Sequence, residues 1–219
     1  MFGAAPRLGI RRARSNTVVP SSCSPGEAEQ VKESREGTLR QLTSYPPDVL
    51  ASRIHQPGCP WVWTSECTEA FATTRQLDEE AAEMLIAKAR RAHRHGLPAV
   101  ENSNSAARRH PSHRCPVGER VAESGDHEFT SERPMPWTGE LYAASADERT
   151  LFRLYFAERR SEWAAPTTDI VGCGIGSKPV SEDTDWTSND QTADIREAME
   201  SAVTYCTNTQ RVWRKWNAA

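Results

Sequence analysis

The sequence predicts a mainly α-helical chain, with about four helices joined by long extended or irregular segments, little or no sheet, and no single compact domain. Three observations lead there. Leu, Ile, Val and Phe together make up roughly 15 % of the 219 residues, below the roughly 20 % level associated with disorder when net charge is also high; with a net charge of only −3 the rule does not make the whole chain disordered. The apolar residues that are present recur mostly at helical spacing. Prolines gather between those segments, at Pro46, Pro47, Pro57 and Pro60 and again at Pro98, Pro111, Pro116, Pro134 and Pro136. Burial returns about 25 cal/mol per Å² of apolar surface, against about 1–2 kcal/mol of backbone entropy per residue. A chain this lean is expected to order only part of its length alone.

Residues 1–26 contain no acidic side chain but carry Arg7, Arg11, Arg12 and Arg14, with Phe2, Leu8 and Ile10 between them and serines behind. That pattern fits a mitochondrial address as well as an extended basic tail, with a cytoplasmic or cytoskeletal setting as the alternative. Gly3, Pro6 and Gly9 interrupt any long amphipathic helix there. Beyond it, 27–96 reads as a helical segment. Residues 27–42 form a short charged helix, and 65–95 a long one with acids early, bases late, and Gly96 and Pro98 as its stop.

Residues 97–140 read as an extended polar linker, and 141–219 as a second helical segment. Ser145 and Glu148 have capping-box spacing at the head of a helix over 145–163. The last helix, 190–216, carries Ile195, Met199, Ala202, Cys206, Thr209, Trp213 and Trp216 at alternating steps of four and three, a coiled-coil-like seam.

The longest apolar runs fall far short of the roughly 20 residues that cross a bilayer. Without its first 26 residues the chain has 23 basic against 30 acidic side chains, the wrong balance for a general nucleic-acid binder. The locally basic stretch 90–114 lacks aromatics for base stacking.

Candidate chemistry is sparse. Asp169-Ile170-Val171-Gly172-Cys173-Gly174-Ile175-Gly176 resembles the glycine-rich loop of Rossmann-type methyltransferases that bind S-adenosylmethionine. That resemblance implies several further strands, whereas the 43 residues after Gly176 read as a loop and one helix, so a glycine-rich turn is the plain reading. His93, His95, His110, His113, Cys115 and His127 lie close in sequence, but His93-x-His95 and His110-x₂-His113-x-Cys115 match no standard zinc finger. They read as solvated side chains. The six cysteines read as free thiols, with Cys59 and Cys67 close enough in sequence for a local disulfide. No catalytic, cofactor-binding or metal-ligating set is assigned.

Tryptophan carries the functional expectation, because one indole removes a large area from water and is enriched at interface hot spots. Trp61, Trp63, Trp137 and Trp186 fall in connectors, while Trp213 and Trp216 join Ile195 and Met199 on the last helix. These eight residues are the expected partner-binding set. The chain is therefore expected to be a non-catalytic accessory or structural subunit, contacting other protein subunits of a larger assembly. If the N-terminal segment is an address, that assembly is a mitochondrial respiratory-chain or ATP-synthase complex. A cytoskeletal or ciliary lattice protein, a small helical enzyme, and a metal- or nucleic-acid-binding module are the alternatives.

Overall fold

The centre of the protein is a sheet, not a helix bundle. The structure, a computed structural model, describes residues 53–98, 109–110, 112–125, 127–180 and 186–216. All of them belong to one compact unit, Ser44–Ala219. The basic segment 1–26 and the predicted helix over 27–42 lie outside the described residues.

A 3₁₀ turn, Arg53–His55, leads into β1 (Trp61–Trp63), α1 (Ser65–Leu77) and α2 (Glu79–His95). Then follow β2 (Arg109–His110), β3 (His113–Arg114), α3 (Glu119–Ser124), β4 (Thr138–Ala144), β5 (Thr150–Arg160), β6 (Thr167–Pro179), α4 (Ser188–Asn208) and β7 (Val212–Trp213). The sheet runs β1-β6-β5-β4-β3-β2, with β7 pairing β5 beyond the end of β4. β1 is parallel to β6 and every other pairing is antiparallel.

The predicted helix over 145–163 is in fact the central strand. A strand covered on both faces shows no apolar–polar alternation, and Phe152 to Glu158 are buried without a break. Phe156 packs on Trp61 from one face, at 5.5 Å between ring centroids. From the other, the Arg159 guanidinium lies 5.6 Å from the ring of Tyr205 on α4. Helices α1 and α2 thus cover one face and α4 the other. Ser145 and Glu148 do not cap a helix; they close a hairpin. The Ser145 N–H donates to the Thr150 carbonyl (2.7 Å), its Oγ accepts the Thr150 N–H (2.9 Å), and Glu148 sits at φ 58°.

The long predicted helix over 65–95 is two helices. Asp78 leaves helical geometry (φ −157°), and its carboxylate accepts the Ala81 N–H at 2.8 Å to start α2. The predicted 97–140 linker supplies β2, β3, α3 and the start of β4, and it sinks Val117, Val121, Phe129, Met135 and Trp137 into the core. At the other end, α4 stops at Asn208 and the chain turns back as β7. Ile195, Met199, Ala202 and Cys206 bury their stripe within the chain itself. The glycine run is neither cofactor loop nor turn but the middle of β6. A side chain at Gly172 would sit 2.3 Å from the Trp63 ring.

Glu158 ties distant parts together. Buried at 2 % exposure, its carboxylate accepts the Arg53 N–H (2.9 Å), the Thr167 hydroxyl and the Arg214 guanidinium (3.2 Å). Arg214 in turn stacks over Trp137, 4.5 Å from the ring centroid. Among the described residues no helix is long and apolar enough to cross a membrane.

Candidate functional site

The pair Trp-Val-Trp on β1 places two indoles on the same face of a strand, because side chains two apart share a face. Their rings are 5.5 Å apart, and Trp63 meets Phe71 of α1 edge-on at 5.2 Å. Together with Ile86 and Ala89 of α2 they wall a cleft of about 680 Å³ at the sheet edge that β1 forms. Its mouth carries Arg75, Arg90 and His93, all exposed. Arg75 is paired with Glu83 at 2.6 Å, and His93 holds the Cys59 carbonyl through Nδ1 at 3.0 Å. The Trp61 Nε1–H is buried and has no acceptor among the described residues, an arrangement that costs free energy unless a ligand or water satisfies it. An apolar cleft with a few polar groups at its edge is the usual form of a binding site, within the roughly 300–1,000 Å³ range of such pockets.

Two of the eight residues expected to bind a partner, Trp61 and Trp63, line this cleft. Trp186 is half-buried, with Lys178 (4.9 Å) and Arg153 (5.6 Å) over its ring. Trp137, Trp213, Trp216, Ile195 and Met199 bury their apolar surface in the chain's own core. Phe71, Ile86 and the basic rim were missed from sequence. The signal was there in Trp61-x-Trp63, a period-two pair of large aromatics, which marks a strand.

A smaller cavity, about 210 Å³, opens between β6, α4 and the start of α1, lined by Glu66, Gly174, Tyr155, Asp194 and Glu197. Burial pushes the Asp194 carboxyl up to about 6; repulsion from Glu197 adds to this, while Arg153 opposes it. The folded chain therefore binds more protons than the unfolded chain between the ordinary value of 3.8 and about 6, and stability falls as pH rises through that window. Asp194→Asn removes this loss. Solvent screening of the half-exposed group limits the expected gain to about 1 kcal/mol at pH 7, fading towards pH 4. Urea melts of both proteins across that range measure it, and equal stabilities at pH 7 would refute it.

Of the sequence-clustered histidines and cysteine, the fold brings His113 and Cys115 together and adds His55, which the sequence kept apart from them. One ligand atom from each lies within 4.8 Å of the others. His95 is exposed, and His127 packs against Phe129 near the far side of α4. The five cysteines among the described residues are free thiols, Cys59 and Cys67 included.

The chain matches no protein-family model, no curated protein and no solved structure.

Proposed function

We propose that this chain is a non-catalytic binding domain of a larger protein assembly. In this reading the Trp61–Trp63 cleft receives an apolar segment of a partner polypeptide flanked by acidic side chains. The observation that carries the reading is the pairing of an aromatic cleft with a basic rim at a sheet edge. Strand β1 lies at the end of the strand order, where an extended segment adds backbone hydrogen bonds while its side chains enter pockets. Trp61, Trp63 and Phe71 offer large, rigid contact surface. Arg90 and Arg75 select for negative charge beside it, and this steers encounter as well as orientation.

The test is a titration followed by tryptophan fluorescence. A short peptide with an apolar core flanked by Asp and Glu is compared with the same core flanked by Lys, and with a free aromatic carboxylic acid. Saturable binding is expected for the acidic peptide, weaker by at least about tenfold for the basic one, a difference of about 1.4 kcal/mol. Ala72 is exposed at the cleft wall, so Ala72→Glu adds a repulsive charge without touching the core. It is expected to weaken the acidic peptide by about tenfold with an unchanged thermal melt. Equal binding of both peptides, or none of either, overturns the proposal. Tight binding of the free acid alone replaces it with a small-molecule site.

A further inference from the structure

We propose that His55, His113 and Cys115 form a zinc site that fastens the turn before β1 to the far side of the sheet. Three donors converge from two places in the sequence. His113 lies on β3 and Cys115 follows two residues later, while His55 arrives from the 3₁₀ turn 58 residues upstream of His113. Their ligand atoms all lie within 4.8 Å of one another, and Cys115 Sγ is 3.7 Å from His55 Nε2. Zinc bonds of about 2.0–2.3 Å in a tetrahedron place ligand atoms about 3.3–3.8 Å apart. The Cys115–His55 edge already has that length, and the His113 edges, at most 4.8 Å, need a contraction of at most about 1.5 Å to reach it.

The imidazoles are oriented as ligands are. His55 Nδ1 is 2.9 Å from the Leu97 carbonyl. A carbonyl only accepts, so Nδ1 carries the proton and Nε2 presents its lone pair towards Cys115. A ligating histidine is ordinarily fixed in this way, through its other nitrogen. His113 Nδ1 is 2.9 Å from Ser112 Oγ, and with that hydroxyl accepting the Nδ1–H its Nε2 is the second donor. The His55 end is anchored by the backbone too. Leu97 N–H donates to the Ile54 carbonyl at 2.9 Å, and Gly96, at φ 70°, passes so close that a Cβ there would sit 2.4 Å from the His55 oxygen.

The donor chemistry selects the metal. Two imidazole nitrogens and one sulfur suit zinc and not magnesium or calcium, which take oxygen. Zinc binding forms the Zn–S bond, and the thiol proton leaves to solvent. His55 is the half-buried member of the set, and a water would supply the fourth ligand of the tetrahedron.

The experiment uses the full chain, reduced, equilibrated with zinc, gel-filtered without chelator, and analysed for metal by plasma mass spectrometry. One zinc per chain is expected. Cobalt(II) in its place is expected to give visible bands of tetrahedral intensity and a near-ultraviolet thiolate-to-cobalt transition. Cys115→Ser abolishes that transition. Cys173→Ser, equally buried but outside the cluster, keeps it. His55→Gln alters only a half-buried side chain, and should weaken zinc at least a hundredfold in chelator competition. Chelation should lower the melting temperature of the parent chain and leave that of His55→Gln unmoved. A folded parent chain that retains no zinc, or His55→Gln and Cys115→Ser proteins that bind metal as the parent does, overturns the proposal; a plain thiol–imidazole contact then stands in its place.

Discussion

Glu158→Ala is expected to destabilise the domain by about 3–5 kcal/mol, the usual cost of removing one partner from a buried charge pair. The loss is not one ion pair but a junction. The Arg214 side chain, 11 % exposed, keeps its charge and loses its counter-ion at 3.2 Å. The Arg53 N–H and the Thr167 hydroxyl lose their acceptor. Glu158→Gln keeps an acceptor oxygen in place and discards the charge, so about 1–3 kcal/mol is expected from it. Urea unfolding at pH 7 measures both. A cost below about 1 kcal/mol for the alanine variant would mean that solvent reaches Arg214, as it reaches exposed pairs. Arg75–Glu83, with both side chains about half exposed, is such a pair, and breaking it should cost about 0–1 kcal/mol.

Gly172→Ala is expected to cost about 2–3 kcal/mol, at the upper end for one added methyl group in a packed core. The new Cβ would stand 2.3 Å and 2.5 Å from two atoms of the Trp63 six-membered ring and 3.4 Å from Cys67 Sγ. Trp63 lines the cleft, so a shift of its ring should weaken peptide binding along with stability. The diagnostic is Trp63→Leu, made alone and with Gly172→Ala. In the smaller side chain's presence the methyl group has room, and the double variant should be about 1–2 kcal/mol more stable than the sum of the single effects predicts. Additivity to within about 0.5 kcal/mol would mean that the indole and the glycine do not constrain each other.

The helices were partly legible because their signals are local. The acids and bases of α2, its glycine stop, and the apolar stripe of α4 each lie within a few turns of chain. The central strand was not. LFRLYF reads as helix or strand by periodicity alone, and Arg153 and Glu158 argue against burial on any single-sequence reading. What admits them is Glu140, 3.7 Å from Arg153, and Arg214 beside Glu158, partners 13 and 56 residues away. The glycines of β6 misled for a similar reason. Gly172 is small because an indole from β1 crosses over it, and Gly176 because Asp194 Oδ2 would lie 2.2 Å from a Cβ there. Low apolar content misled as well. Alanines, cysteines and tryptophans, which the Leu-Ile-Val-Phe count omits, fill much of the core. At the metal cluster the pair His113-x-Cys115 was visible, but nothing local announced His55. At the cleft the two tryptophans were visible, and the wall opposite them was not.

The parallel pairing of β1 with β6 joins Trp61 to Ile170, across more than a hundred residues, whereas β4, β5 and β6 pair through short connections. Loop-closure entropy grows with the logarithm of separation, so the meander can assemble on its own contacts while β1 must be captured later. The same inequality acts in the native ensemble. The strand held by three register pairs at the sheet margin is a unit that can detach in sub-global opening. The cleft exists only while that strand is seated. Its occupant would therefore act as a clasp on that margin of the sheet, and slowed amide exchange across residues 61–63 and 170–172 would report occupancy before any change in global unfolding.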